Sequence, residues 1–397
     1  MLLIKSEKLA KFIITSFLIS FVLGCFGFYA DYKIHYVTIC FSLFSLFFLS
    51  NKIEKEFILM SMLILIFNFC SQLIGGYFYL GSFNTNWFLQ IGIFSILFLT
   101  VPCVVKNLNF YYHVKIYKTL LLIISVIMFL CAIYVLLSDG ISNIFNIKAS
   151  YARLYIIYST FGLLKFIIPL FFIVSYFFVF SFLRKKEKIF YGLSFFIFML
   201  VVQVKTVFLS ILIVALIFLI RMINNKNIRL LFFCLLFFIA IFLFVYKYQE
   251  IAELSVYNGR YIFPIITSVD YFSYPFGFGF GNYSDVMKSM MINLNYSGEY
   301  NSELISVLNL GYGEAFNTSE SDILQFGVSF GFIFLVLYFY FIIRLSIQTI
   351  LSNKLSILNV CVLLLLYSGF YQDYSQNIVY WLFFIYTYSL SVIYKNR

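Results

Sequence analysis

Apolar residues fall in runs of about 15 to 24 along the chain, and short polar breaks separate these runs. A helix that crosses a bilayer needs about 20 apolar residues, whereas a strand of an outer-membrane barrel needs about 10 alternating ones. The pattern therefore predicts transmembrane helices. Twelve spans fit it, at 12–29, 34–50, 57–75, 87–105, 119–137, 161–183, 189–203, 206–220, 230–246, 323–343, 355–370 and 377–393.

The composition agrees with this pattern. Apolar residues make up 63% of the 397 residues, and charged residues make up only 11%. In an ordinary soluble domain about 45–50% of the residues are apolar and about 25% are charged. A water-soluble enzyme is therefore excluded, and an all-α polytopic protein in contact with membrane lipids is predicted. The net charge of +11 is interpreted as a determinant of membrane orientation rather than of nucleic-acid binding.

Residues 189–220 could form one long tilted helix or two short helices joined at 203–206. Two helices place both termini in the cytoplasm with 19 of the 27 lysines and arginines on that side. One continuous helix would place 15 of these bases inside and 11 outside, and it leaves Lys205 in the middle of the membrane at a cost of about 2.5–3.5 kcal/mol. We therefore expect twelve spans with Lys205 at the outer tip of the pair.

This topology places a long loop, 247–322, outside the membrane between spans 9 and 10. Nine of the 16 carboxylates lie in it against three bases, which gives it a charge of about −6. Patchy helical patterns at 285–296 and 302–316 suggest a small capping subdomain. The predicted regions are therefore 1–246 with nine spans, 247–322 as the loop subdomain, and 323–397 with three spans.

Four bases lie at the predicted outer boundary of the membrane, where charge is otherwise scarce. Lys165, one turn inside span 6, is interpreted as a side chain that snorkels to the interface. The other three are Arg153 at the start of span 6, Lys205, and Arg260 in the long loop. Arginine binds a phosphate with two parallel hydrogen bonds and lysine binds it as a point charge, so these residues are candidates for holding a lipid-linked diphosphate. A boundary charge without a functional role is the alternative for each.

The long loop contains a glycine run, Gly277, Gly279 and Gly281, directly after Pro275. It lacks the strand-turn-helix context of a dinucleotide fingerprint. A tight, close-packed turn at the membrane face is the simpler interpretation. The alternative is a loop whose backbone N–H groups contact a phosphate.

Glu320 and Asp322 lead directly into span 10. Capping of the helix is one interpretation, because acidic residues are favoured at the N-terminal end of the helix dipole. The other is that one of them accepts a proton from an attacking hydroxyl. No metal and no cofactor are predicted, since the two histidines, His35 and His113, lie at opposite faces in this topology.

Four features occur in a characteristic order: Lys205-Thr206 at the tip of a helix pair, Arg260, the Pro-x-Gly-x-Gly-x-Gly-Asn-Tyr run at 275–283, and the acidic segment that enters a glycine-containing span. This order resembles the bacterial Wzy-type O-antigen polymerases and the related O-antigen ligases. The detailed match covers about residues 150–345, and the topology matches over the whole chain.

The resemblance implies a GT-C-like, metal-independent glycosyltransferase at the periplasmic face of the bacterial inner membrane, acting on undecaprenyl-diphosphate-linked oligosaccharides beside a chain-length regulator. Arg260 matches the loop arginine that engages the diphosphate in this family, and Lys205 stands where the family more often has arginine. Ligases usually carry a histidine before span 10, where this chain has Ser319-Glu320, which favours a polymerase. A lipid-linked oligosaccharide flippase is the alternative from another class, and the absence of a visible repeat argues against it.

Overall fold

The computed structural model describes residues 2–25, 43, 45–46, 49, 53–81, 83–139, 167–202, 205–246, 275–282, 286, 322–352, 356–369 and 378–394. Long helices account for most of these residues. They are α1 (Leu2–Cys25), α2 (Lys55–Cys70), α3 (Thr85–Lys106), α4 (Phe110–Asp139), α5 (Ile167–Val179), α6 (Lys185–Val202), α7 (Lys205–Arg221), α8 (Lys226–Tyr246), α9 (Asp322–Leu351), α10 (Ile357–Ser368) and α11 (Ile378–Ile393). A π-helix, Ser71–Tyr79, continues α2.

The described helices form a multi-pass, all-α membrane protein. Within the described ranges, four apolar stretches are long enough to cross a bilayer: Lys55–Phe78, Thr85–Lys106, Phe110–Ser138 and Gln325–Leu351. Large apolar side chains such as Phe78 (70% exposed) point away from the protein interior. Such exposure is unfavourable in water and is compatible with contact to lipid.

The protein interior is centred on α10. This short helix packs against α5, α7, α9 and α11, and its residues from Val360 to Leu366 are all buried. Around it, α3 packs against both α2 and α11, and α4 packs against both α5 and α6. A helix that is apolar on all sides belongs in the middle of such a bundle.

One end of the bundle collects the positive charge, and we call it the basic face. Lys106 Nζ lies 3.2 Å from Glu54 Oε1, and the Tyr394 hydroxyl donates to Leu108 O at 2.7 Å, so the ends of α3 and α11 meet the start of α2 here. Of the 16 lysines and arginines in the described residues, all but Lys205 lie at this face: Lys5, Lys8, Lys11, Lys55, Lys106, Lys115, Lys118, Arg184, Lys185, Lys186, Lys188, Arg221, Lys226, Arg229 and Arg344.

The chain leaves the basic face in α6 and returns to it in α7. Next to the start of α6, Lys118 Nζ donates to Phe182 O at 2.6 Å. At the end of α7, Arg221 Nη1 donates to Thr349 O at 2.8 Å in the last turn of α9. The two helices diverge, since α6 packs against α4 and α7 packs against α10. The described parts of α6 and α7 therefore run in opposite directions.

Two helices begin well before the spans predicted for them. The first begins at Leu2 rather than at 12, and α4 begins at Phe110 rather than at 119. The hydropathy pattern marks only the apolar part of a helix, whereas the helix itself continues through its basic flank. Lys11, for example, pairs with Glu7 at 2.6 Å one turn away on the same helix.

Several predictions concern residues outside the described ranges. They include most of the span at 34–50, most of the outer loop at 138–160, and most of the long loop at 247–322 with its two patchy helical patterns. From that loop the structure describes the glycine-containing segment 275–282, Val286 and Asp322.

Candidate functional site

The end of the bundle opposite the basic face, which we call the far end, holds those candidate residues that the structure describes. Both α7 and α9 end at the basic face, so both begin at the far end. Their first residues are Lys205 and Asp322, whose side chains are outside the described set. Arg153, Arg260 and Glu320 also lie outside the described residues. Gly277, Gly279 and Gly281 are described in full.

A sharp kink divides α9 at Gly331. This residue has φ 83° and ψ −179° in an otherwise helical stretch, a conformation that is essentially confined to glycine. The nine residues before it, 322–330, form a separate first segment at the far end. The kink breaks the hydrogen-bond ladder of the helix, so the backbone groups around it need other partners.

The glycine-containing segment supplies these partners. In an unbroken helix the carbonyls of Val328 and Ser329 accept from the N–H groups four residues later. Here Val328 O accepts from Phe278 N at 2.9 Å and Ser329 O accepts from Gly279 N at 3.0 Å. In return, Ile333 N donates to Pro275 O at 3.4 Å. The segment thus replaces bonds that the kink removes from α9.

Three glycines from distant parts of the sequence meet at this point, and we call their contact the glycine crossing. Gly75 of the π-helix, Gly277 and Gly331 lie so close that a Cβ on any one of them would overlap backbone atoms of its neighbours. A Cβ on Gly277, for example, would lie 2.6 Å from both Gly331 N and Val328 O. The crossing is therefore a contact of backbone against backbone.

Phenylalanines alternate with the glycines of the run and hold it in place. Phe280 is fully buried, with its ring 4.9 Å from that of Trp87 and 5.8 Å from that of Phe330, measured between centroids. Gly279 and Gly281 have positive φ angles of 86° and 92°. The positive φ angles let the backbone turn tightly while the aromatic rings enter the protein.

Gln72, at the start of the π-helix, joins this segment to α3. Its Nε2 donates to Phe280 O at 2.7 Å, and its Oε1 accepts from Asn84 N at 3.3 Å. Asn84 in turn caps α3, because its Oδ1 accepts from Trp87 N at 3.3 Å. The sequence interpretation missed Gln72 and Asn84. A glutamine inside a predicted apolar span is the signal that could have indicated Gln72.

A polar stripe runs down the first segment of α9. Asp322, Gln325 and Ser329 follow one another at helical spacings of three and four, which places them on one side of the helix. Gln325 and Ser329 are buried, and Gln325 Nε2 donates to Ser329 Oγ at 3.0 Å. The Gln325 Oε1 atom is buried and has no hydrogen-bond partner among the described residues. The stripe therefore contains a buried acceptor about 5 Å along the helix axis from Asp322.

The geometry bears on the two interpretations of the glycine run. It forms a close-packed turn at one end of the bundle, as the simpler interpretation expected. The N–H groups of Phe278 and Gly279 already donate to α9. A phosphate at this end would therefore rely on other donors, such as basic side chains.

Comparisons with protein-family models, with curated proteins and with solved structures found no match.

Proposed function

We propose that this protein is a polysaccharide polymerase that joins undecaprenyl-diphosphate-linked repeat units at the outer face of the bacterial inner membrane. One observation carries the proposal. The glycine run is bonded to the first segment of α9, which begins with the candidate base Asp322 and contains the buried Gln325, whose Oε1 has no hydrogen-bond partner among the described residues. An acidic residue and a tight turn thus belong to the same end of the helical bundle.

The charge distribution supports the orientation in this proposal. Fifteen of the 16 described lysines and arginines lie at the basic face. Because positive residues favour the cytoplasmic side, the basic face is assigned to the cytoplasm and the far end to the periplasm. In this orientation the sugar chains on lipid diphosphates would be joined at the far end, where α7 begins at Lys205 and α9 begins at Asp322.

In the proposed reaction, Arg260, Lys205 and Arg153 hold the diphosphate of one lipid-linked glycan. A hydroxyl of a second lipid-linked repeat unit loses its proton to Glu320 or Asp322 and attacks the anomeric carbon of the first glycan. The bond from that carbon to the diphosphate oxygen breaks, and the basic residues stabilise the charge on the leaving group.

Deletion of the gene in the native host, followed by separation of the surface glycans by size, tests the function. A polymerase predicts that long chains disappear while single repeat units still reach lipid A-core. If all attachment of repeat units disappears instead, the proposal is wrong and a ligase or a flippase is favoured.

Variants expressed in the deletion strain test the assigned roles. Arg260→Ala should abolish long chains, whereas Lys288→Ala, which removes another base of the same loop, should leave them unchanged. Of the variants Glu320→Gln and Asp322→Asn, only one should lose the long chains, because only the residue that accepts the proton is essential. Normal chains from a correctly inserted Arg260→Ala variant would remove this arginine from the mechanism.

A further inference from the structure

A large apolar cavity lies between α2, α9 and α11. It has a volume of about 220 Å³, and among the residues lining it are Leu63, Phe98, Phe334, Leu337, Trp381 and Phe384. Leu59 and Tyr340, at its edge, are both 60% exposed, so the cavity opens sideways on the lipid-facing surface. A cavity with this lining and this opening accepts hydrocarbon chains.

A more polar cavity adjoins the apolar one at the basic face. This second cavity has a volume of about 150 Å³ and shares Leu59, Met60, Phe341, Arg344 and Tyr388 with the first. Its remaining lining is more polar and includes Glu56, Gln348 and Asn359. We call the two adjoining cavities together the groove, which has an apolar interior and a charged mouth.

The two charges at this mouth do not neutralise each other. Glu56 and Arg344 line the same cavity, yet they are not within the 4.0 Å that defines an ion pair in the described residues. Glu56 Oε2 accepts a hydrogen bond from the Tyr388 hydroxyl at 3.4 Å. No acceptor for the Arg344 guanidinium occurs among the described residues. The mouth thus presents a carboxylate and a guanidinium with space between them.

The length of the groove suits a lipid of one leaflet. Beyond the kink at Gly331, its lining along α9 runs from Phe334 to Gln348, which corresponds to about 21 Å of helix. The hydrocarbon of one leaflet is about 15 Å deep. An acyl chain that starts at the charged mouth therefore has room to lie along the apolar cavity.

We propose that the groove binds a zwitterionic aminophospholipid of the phosphatidylethanolamine type. Its phosphate pairs with Arg344, its primary ammonium group donates to Glu56, and an acyl chain lies along the aromatic cavity. Charge complementarity selects this occupant. An anionic headgroup without an ammonium group would leave the Glu56 carboxylate facing a negative charge, and a quaternary ammonium group has no N–H to donate to it.

The experiment measures lipid binding to the purified full-length protein by native mass spectrometry. Phosphatidylethanolamine, phosphatidylcholine and phosphatidylglycerol with the same acyl chains are added separately. The proposal predicts that phosphatidylethanolamine binds about tenfold more tightly than either of the others, as expected for one additional charge-assisted hydrogen bond. Equal binding of all three lipids would show adventitious annular lipid only and would overturn the proposal.

Variants of the two charged residues identify the contacts. Glu56→Gln should abolish the preference for phosphatidylethanolamine over phosphatidylcholine, and Arg344→Gln should weaken the binding of all three lipids. Arg344→Lys retains a positive charge and should keep most of the binding. Glu54→Gln and Arg184→Gln, which change charges at the basic face outside the groove, serve as matched controls. If the Glu56→Gln variant keeps the wild-type preference, the proposal is wrong.

Discussion

The π-helix and α9 touch at the far end, whereas α2 and α9 are separated by a cavity at the basic face. At the far end, Gly75, Gly277 and Gly331 bring backbones into direct contact. Towards the basic face, large side chains such as Phe341 and Tyr388 line a cavity of about 150 Å³ between α2, α9 and α11. The spacing of these helices therefore follows the size of the residues that face each other.

The two regions also satisfy their polar groups in different ways. At the far end, backbone carbonyls and N–H groups of α9 bond to the segment 275–282. At the basic face, the charges of Glu56 and Arg344 face open space. A region in which backbone is packed against backbone cannot adjust to a substitution, whereas a region of side chains around a cavity can relax. Stability measurements at both ends test this difference.

The largest effect is expected for Gly277→Ala. Its Cβ would lie 2.6 Å from three backbone atoms of α9, and the residue has φ +70°, so we expect a loss of stability of about 3–5 kcal/mol. Thermal unfolding in detergent, followed by intrinsic fluorescence, measures it. Gly92→Ala is the matched control, because no atom lies within 4 Å of its Cβ position. It should be neutral or stabilising by up to about 1 kcal/mol.

A smaller loss, about 2–4 kcal/mol, is expected for Gln72→Leu, since it leaves Phe280 O and Asn84 N without their partner. The matched control is Gln325→Leu, which replaces another buried glutamine. Gln325 bonds to a side-chain hydroxyl and not to the backbone, so its replacement should cost less than about 1 kcal/mol. Equal losses in the two variants would contradict the account of Gln72 as a link to α3.

At the basic face, Arg221→Gln should cost about 1–2 kcal/mol. Arg221 donates to Thr349 O at 2.8 Å and to Ser352 Oγ at 2.9 Å, and it thereby caps the end of α9. Arg184→Gln changes an exposed arginine of the same face and should stay within about 0.5 kcal/mol of the wild type. The comparison of melting temperatures of the two variants tests whether the cap matters.

The smallest effect is expected for Lys106→Gln. Lys106 and Glu54 form an exposed pair at 3.2 Å, which contributes at most about 1 kcal/mol. Because salt screens exposed charges, the difference from the wild type should disappear at about 1 M salt. A larger loss that persists at high salt would show that the basic face is as rigid as the glycine crossing.

The sequence indicates some of these features and not others. Apolar run length predicts the helical character, and charge counting favours a chain reversal near Lys205, because both depend on local composition. The helices that begin at Leu2 and Phe110 extend beyond the spans predicted at 12–29 and 119–137, since hydropathy does not register the basic flanks. The partners of Gly277 are about 50 and 200 residues distant in sequence. No local pattern could indicate that Gly75 and Gly331 meet there.

The glycine crossing also constrains how the sequence can diverge. A side chain at any one of its three positions would overlap the backbone at another, so none of them can drift independently. Proteins that descend from the same ancestor and keep this packing should retain Gly75, Gly277 and Gly331 together. Those that lose one should show compensating changes at the others. The three positions are thus alignment anchors for recognising distant relatives whose apolar spans have otherwise diverged.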